Sequence, residues 1–149
     1  MSLQQKITEA IKTAMKAKDA VALESLRAIK SAILIAQTQS GASETLSAEE
    51  ELKLLQKLVK QRKDSAAIFN DQGRTDLADP ELAQCAIIEK FLPAQLSEDE
   101  ITVVVSEVIG QTGASGMKDM GKVMGLVSQK LAGQADGKTI SNIVRSQLT

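Results

Sequence analysis

Apolar residues recur at three- and four-residue intervals along most of this 149-residue chain, the spacing that places them on one face of an α-helix. Leu3, Ile7, Ile11 and Ala14 or Met15 predict a first helix to about Lys18, and Leu26, Ile29 and Ile33 a second over about 20–39. The run SGASETLS, residues 40–47, reads as a loop by composition. Ser47 followed three residues later by Glu50 is a capping box. It opens a third helix that lasts to about Gln72, where Gly73 stops it. A fourth begins between Thr75 and Pro80 and ends at Phe91-Leu92-Pro93. Ser97 and Glu100 repeat the capping box and start a fifth, to about Gly110. A sixth covers about Met117 to Ala132, and Asp136 caps a last one from Gly137 to Gln147. Ile101, Val103, Val104 and Val105 favour a strand, but the capping box and the helical neighbours outweigh them. The prediction is an all-α chain without internal repeats.

Pro93 disfavours helix at Leu92, so LPAQLSEDE reads as a hinge between two lobes. Residues 1–93 then carry about four helices and residues 94–149 about three. The chain is long enough to bury a sizeable core.

Composition narrows the chemistry. There is no His, Tyr or Trp, two Phe and one Cys, which removes the usual neutral-pH base and the commonest metal ligand. No catalytic residue, metal or cofactor is expected. Cys85 shares a face with Leu82, Ile88 and Leu92, a core position, and no His is present to activate it. The carboxylates fall at helix caps and on solvated faces; Glu49, Glu50 and Glu51 occupy the first turn of the third helix, where the helix dipole favours anions. A lone cysteine suits a reducing compartment. The N-terminus lacks a signal-peptide core and no segment is apolar enough to span a bilayer. A soluble cytoplasmic protein is expected.

Charge distribution says more than the net −1. Residues 97–116 hold four acidic residues and no basic one, whereas residues 117–149 hold five basic against two acidic. The second segment leans toward an anionic partner. In the third helix Arg62 sits in the apolar stripe of Leu55, Leu58, Val59, Ala66 and Phe69. Arginine there is seldom buried unless paired. Two readings stand: a pairing with a carboxylate such as Asp76 or Glu24, or a guanidinium held for a phosphate. Lys53, Lys57 and Lys60 line the opposite face, the pattern of a solvated helix surface.

KDMGKVMG, residues 118–125, places two glycines one turn apart on one helix face. Met120, Val123, Met124, Val127 and Leu131 form the packing arc, beside which Gly121, Gly125, Ser128 and Ala132 make a strip of small residues, with Lys118, Lys122 and Gln129 beyond it. Either a neighbouring helix, the last one above all, packs closely on the strip, or a sugar-phosphate backbone rests there, held by the lysines.

The segments LRAIKSAI (26–33), QRKDSAAIFNDQGRTDLADPEL (61–82), IIEKFLPAQLSEDEI (87–101) and KDMGKVMGLVSQKLAGQADGKTISNIV (118–144) together resemble the YqeY family. MGKVMG followed by GQADGKTI is also similar to the C-terminal tail of the B subunit of the glutamine-dependent aspartyl/glutamyl-tRNA amidotransferase. The resemblance implies an all-α fold of four helices then three, and a tail module that helps hold tRNA while the chemistry occurs elsewhere. It also carries an inherited label of carbon–nitrogen ligase with glutamine as amide donor. This sequence has neither a glycine-rich phosphate loop nor a Ser-rich amidase signature to support that label. Gly125 stands where the amidotransferase tail usually carries a lysine.

The expected function is a non-catalytic module binding tRNA or another structured RNA. Lys118, Lys122, Lys138 and Arg145, with Arg62 and Arg74, are the candidate phosphate contacts, and Gly121 and Gly125 allow close approach. So few aromatic side chains give no stacking platform for single-stranded bases. The alternative is a protein-interaction module docking on a tRNA-modifying or amidotransferase enzyme. No membrane partner is expected.

Overall fold

A computed structural model describes residues 2–39 and 45–149, and every regular element among them is helical. The helices are α1 (Leu3–Ala17), α2 (Ala20–Gln39), α3 (Ala48–Asp71), α4 (Thr75–Glu89), α5 (Glu98–Thr112), α6 (Met120–Lys130) and α7 (Gly137–Leu148), with a 3₁₀ turn at Met117–Asp119. The loop reading of residues 40–44 lies outside the described residues. The chain divides into two units, Met1–Leu92 and Pro93–Thr149.

Local chemistry explains where most helices start. At α3 the Glu50 backbone N–H donates to Ser47 Oγ (3.2 Å) and the Ser47 N–H donates to Glu50 Oε2 (2.7 Å). Ser97 and Glu100 form the same reciprocal pair at α5, and Ser2 with Gln5 forms a third at α1. Each satisfies two backbone donors that a helix end leaves open. Asp136 accepts from the Thr139 N–H at 2.8 Å and so caps α7.

Three boundaries differ from those the sequence predicts. Gly110 lies inside α5, which runs on to Thr112 and ends at Gly113, where φ is +66°. A left-handed residue ends a helix more firmly than a glycine that stays helical. The sixth helix starts at Met120, because Met117–Asp119 winds as a tighter 3₁₀ turn, and it stops at Lys130 rather than Ala132. The start of α4 at Thr75 falls within the predicted range, with Pro80 inside the helix.

In the first unit Leu3 and Ile7 of α1, Leu26, Ile29 and Ile33 of α2, Leu55 and Val59 of α3, and Cys85 and Ile88 of α4 form one buried cluster. Their three- and four-residue spacing is the apolar pattern of the sequence turned inward. Each fully buried branched side chain contributes roughly 1.5–3 kcal/mol.

The second unit is a three-helix core: Ile101, Val105 and Val108 of α5, Val123 and Val127 of α6, and Ile140, Val144 and Leu148 of α7. The β-branched run of α5 is helical because Ile101 and Val105 point inward while Val103 stays exposed. Residues 93–96 are tied down within this unit. The Leu96 N–H donates to the Gln134 carbonyl (2.9 Å), and Gln95 Nε2 donates to the Gly133 carbonyl (2.7 Å). These bonds fix the α6–α7 turn, and with it the start of α7, against the entry to α5.

Candidate nucleic-acid interface

In α6 the buried residues are Val123 and Val127, with Met120 and Met124 half-buried beside them. Gly121, Gly125, Ser128 and Ala132 are all exposed. A Cβ built at Gly121 or Gly125 would meet no atom within 4 Å. The close-packing explanation of the glycines is therefore overturned: α7 packs against the Val123–Val127 side of α6, and the strip of small residues is bare. Lys122 lies next to Gly125 around the helix and is exposed, as is Lys118 in the 3₁₀ turn.

On α7, Ile140, Val144 and Leu148 face the core. Lys138 and Arg145 sit seven residues apart, two turns along one exposed face, with Asn142 between them. Lys118, Lys122, Lys130, Lys138 and Arg145 have no carboxylate within ion-pair distance among the described residues. The ion pairs among those residues fall in the first unit: Lys12–Glu9, Lys53–Glu49, Lys60–Asp64, Lys63–Glu89 and Arg74–Asp76. All are largely exposed and worth little for stability. The contrast matters for binding, because the five cations of the second unit form no ion pair among the described residues, although the unit also carries six carboxylates.

Arg62 and Arg74 belong to the first unit and have internal partners. Arg62 Nε donates to Gln84 Oε1 of α4 (2.8 Å) and its Nη1 to the Leu58 carbonyl (3.1 Å). The expected partners were Asp76 or Glu24. Asp76 is held instead by Arg74, which donates from Nε (3.0 Å) and Nη2 (2.9 Å) to its two oxygens. Arg62 therefore pairs with a neutral amide, and its half-buried position costs less because the guanidinium reaches a carbonyl one turn back. The Arg74 hydrogen bonds hold the Asp76 carboxyl below its ordinary value, and the pairing raises Arg74 in turn. Lys53 and Lys60 pair with Glu49 and Asp64 on the solvated face of α3.

Cys85 is buried, and its Sγ donates to the Val59 carbonyl at 3.5 Å. Burial first, and then the Glu89 carboxylate, push its thiol up. That is the opposite of what a nucleophilic cysteine needs. Among the described residues no cluster of His, Cys, Asp and Glu is placed to hold a metal ion.

A shallow cleft of about 240 Å³ lies between α5 and α7, lined by Glu98, Thr102, Thr139, Asn142, Ile143, Ser146 and Gln147. The residue-by-residue reading of charges overlooks it. Its only trace in the sequence is polar residues at i, i+4 spacing, Glu98/Thr102 on one helix and Asn142/Ser146 on the other.

The family model for Yqey-like proteins matches residues 4–148. Altered inheritance of mitochondria protein 41, mitochondrial, of Meyerozyma guilliermondii is 34% identical over 125 residues, covering 80% of this chain and 63% of that protein. The protein of the same name in Pyrenophora tritici-repentis is 30% identical over 139 residues, covering 91% of this chain and 75% of its own. A glutamyl-tRNA(Gln) amidotransferase subunit of Thermococcus gammatolerans is 37% identical over 73 residues, 46% of this chain and 12% of that subunit. The chain thus spans less than two thirds of the Meyerozyma protein and a small part of the amidotransferase subunit. The cytoplasmic location expected from the sequence is corrected by these relatives, two of which are named as mitochondrial proteins. A single cysteine and the lack of a helix long and apolar enough to cross a membrane among the described residues do not separate one reducing compartment from another.

Proposed function

The chain belongs to the family of Yqey-like proteins, and on that premise we propose that it is a non-catalytic RNA-binding helical module whose RNA is tRNA. The observation that carries the reading is the pairing of an uncovered backbone strip, Gly121 and Gly125, with exposed cations that form no ion pair among the described residues. The similarity to a subunit of a glutamyl-tRNA(Gln) amidotransferase supports tRNA as the ligand class. Lys118 and Lys122 flank the strip, and Lys138 and Arg145 extend the positive surface along α7. Phosphates neutralised by these side chains release counterions, and the exposed glycines let the sugar-phosphate backbone approach the helix. Arg62 and Arg74 have partners of their own, so the phosphate contacts are assigned to the second unit. The one thiol is buried and its pKa raised, which disfavours a cysteine nucleophile for amide transfer by this chain alone.

The test is a titration of the full chain with total tRNA from low to moderate salt. Four phosphate contacts give a slope of log affinity on log salt of roughly −3, and Lys122→Ala reduces it by about 0.7–0.9. Absence of binding at low salt, or a flat salt dependence, refutes the reading. A second reading, docking on a tRNA-modifying or amidotransferase enzyme, is favoured by Leu34, Ile35 and Ile68, which are exposed in the first unit. Recovery of such an enzyme on the tagged chain after nuclease treatment, with no binding of tRNA, selects it.

A further inference from the structure

The α5–α7 cleft has the chemistry of a hydroxyl-binding site. Its walls are fixed: Ser106 Oγ donates to Gln147 Oε1 (2.8 Å), and Gln147 Nε2 donates to the Thr102 carbonyl (3.3 Å). The hydroxyls of Thr102 and Thr139 are likewise committed, to the Glu98 carbonyl (2.7 Å) and Asp136 Oδ2 (2.8 Å). Three polar heads of the lining make no side-chain hydrogen bond among the described residues: the Glu98 carboxylate, the Asn142 amide and the Ser146 hydroxyl. Together they offer an ionised acceptor, an amide that both donates and accepts, and a hydroxyl. The carboxylate excludes a phosphate from the cleft itself and accepts from a sugar hydroxyl. At about 240 Å³ the cleft is below the roughly 300–1,000 Å³ of small-molecule sites, so it takes one polar unit of a larger ligand rather than a whole cofactor. No aromatic side chain lines it, which disfavours a stacked base.

Asn142 belongs both to the cleft and to the exposed face of α7 that carries Lys138 and Arg145. A ribose in the cleft therefore has cations one turn away on the same helix for its adjoining phosphates. We propose that the α5–α7 cleft is a ribose subsite in which Glu98, Asn142 and Ser146 receive a 2′-hydroxyl, and that it makes this surface select RNA over DNA. The inference rests on the RNA-binding reading above and adds to it the group recognised. A 2′-hydroxyl is what distinguishes the two nucleic acids at a given site.

The experiment compares total tRNA with a DNA hairpin of similar length, titrated at one low salt concentration with the full chain and with Asn142→Ala/Ser146→Ala. Both positions border solvent, and an unchanged far-ultraviolet circular dichroism spectrum and unfolding midpoint establish that the variant is folded. A second variant, Glu98→Gln, keeps the shape while removing the ionised acceptor. The expected result is a wild-type preference for tRNA, a roughly three- to tenfold loss of tRNA affinity in Asn142→Ala/Ser146→Ala with DNA affinity unchanged, and in Glu98→Gln a similarly sized loss of the preference for tRNA over DNA. Lys138→Ala weakens both ligands alike. Wild-type binding of tRNA that the cleft variants leave unchanged, or that they reduce equally for DNA, overturns the ribose subsite and leaves the RNA-binding reading standing. Failure of the wild type to bind tRNA overturns both.

Discussion

Replacing Gly125 with alanine separates the two roles open to a bare helix face. Gly125 is in the interior of the eleven-residue α6, and a Cβ there meets nothing within 4 Å. No packing is disturbed, so the effect on folding reduces to helix propensity, a gain of about 0.8–1 kcal/mol, part of it from an unfolded chain with less freedom to lose. With a urea dependence of about 1–3 kcal/mol/M, the midpoint of full-chain unfolding followed by far-ultraviolet circular dichroism rises by roughly 0.3–1 M. Gly121, in the first turn next to the 3₁₀ segment, gives a smaller gain because few helical hydrogen bonds depend on it. Binding moves the other way. A methyl group on the strip holds the sugar-phosphate backbone off α6, and losing one charge-assisted hydrogen bond weakens tRNA binding by about tenfold. A lowered midpoint refutes the uncovered strip. A raised midpoint with unchanged tRNA affinity refutes the use of the strip by RNA, and leaves only the lysines as contacts.

Acid titration reports on the first unit. Hydrogen bonds from Ser47 hold the Glu50 carboxyl below its ordinary 4.5, and Arg74 holds Asp76 below 3.8. A depressed folded value contributes stability that is complete above the unfolded value and lost as pH falls through the folded one. The unfolding midpoint is thus level near neutrality and declines from about pH 4.5 downward; Glu50→Gln keeps the capping box and flattens part of that decline, and an unchanged acid profile refutes the assignment. Cys85, buried with a raised pKa, reacts with an aromatic disulfide reagent at pH 8 at least about tenfold more slowly than in the urea-unfolded chain. Equal rates would show that the α3–α4 packing does not seal the thiol.

Local signals in the sequence carried far. Ser47 with Glu50, Ser97 with Glu100 and Asp136 each mark a helix start, because a cap is a contact between residues three apart and needs no knowledge of the fold. The apolar faces of both cores were legible for the same reason, and so was the core position of Cys85. The structure differs where competing local solutions are close in energy. Gly110 and Gly113 both suit a helix end, and the one that turns left-handed ends it. Contacts between helices were not legible. Arg62 sits on an apolar stripe that demands a partner, yet nothing in spacing distinguishes Gln84 from Asp76 or Glu24. Nor does a wheel projection say whether α7 covers the glycines, since that depends on how the turn pinned by Leu96 and Gln95 aims the last helix.

The bare strip also bears on how such a surface changes over generations. A residue at position 125 has no neighbour to fit, so almost any side chain is admitted there without repacking the core. Under the proposed RNA-binding reading, a change at this position would alter the surface offered to an anion without disturbing the packed core. The resemblance to the amidotransferase tail implies a lysine at this position, where this chain has Gly125. On α6 a change between the two alters charge and reach at a position the packed core does not constrain.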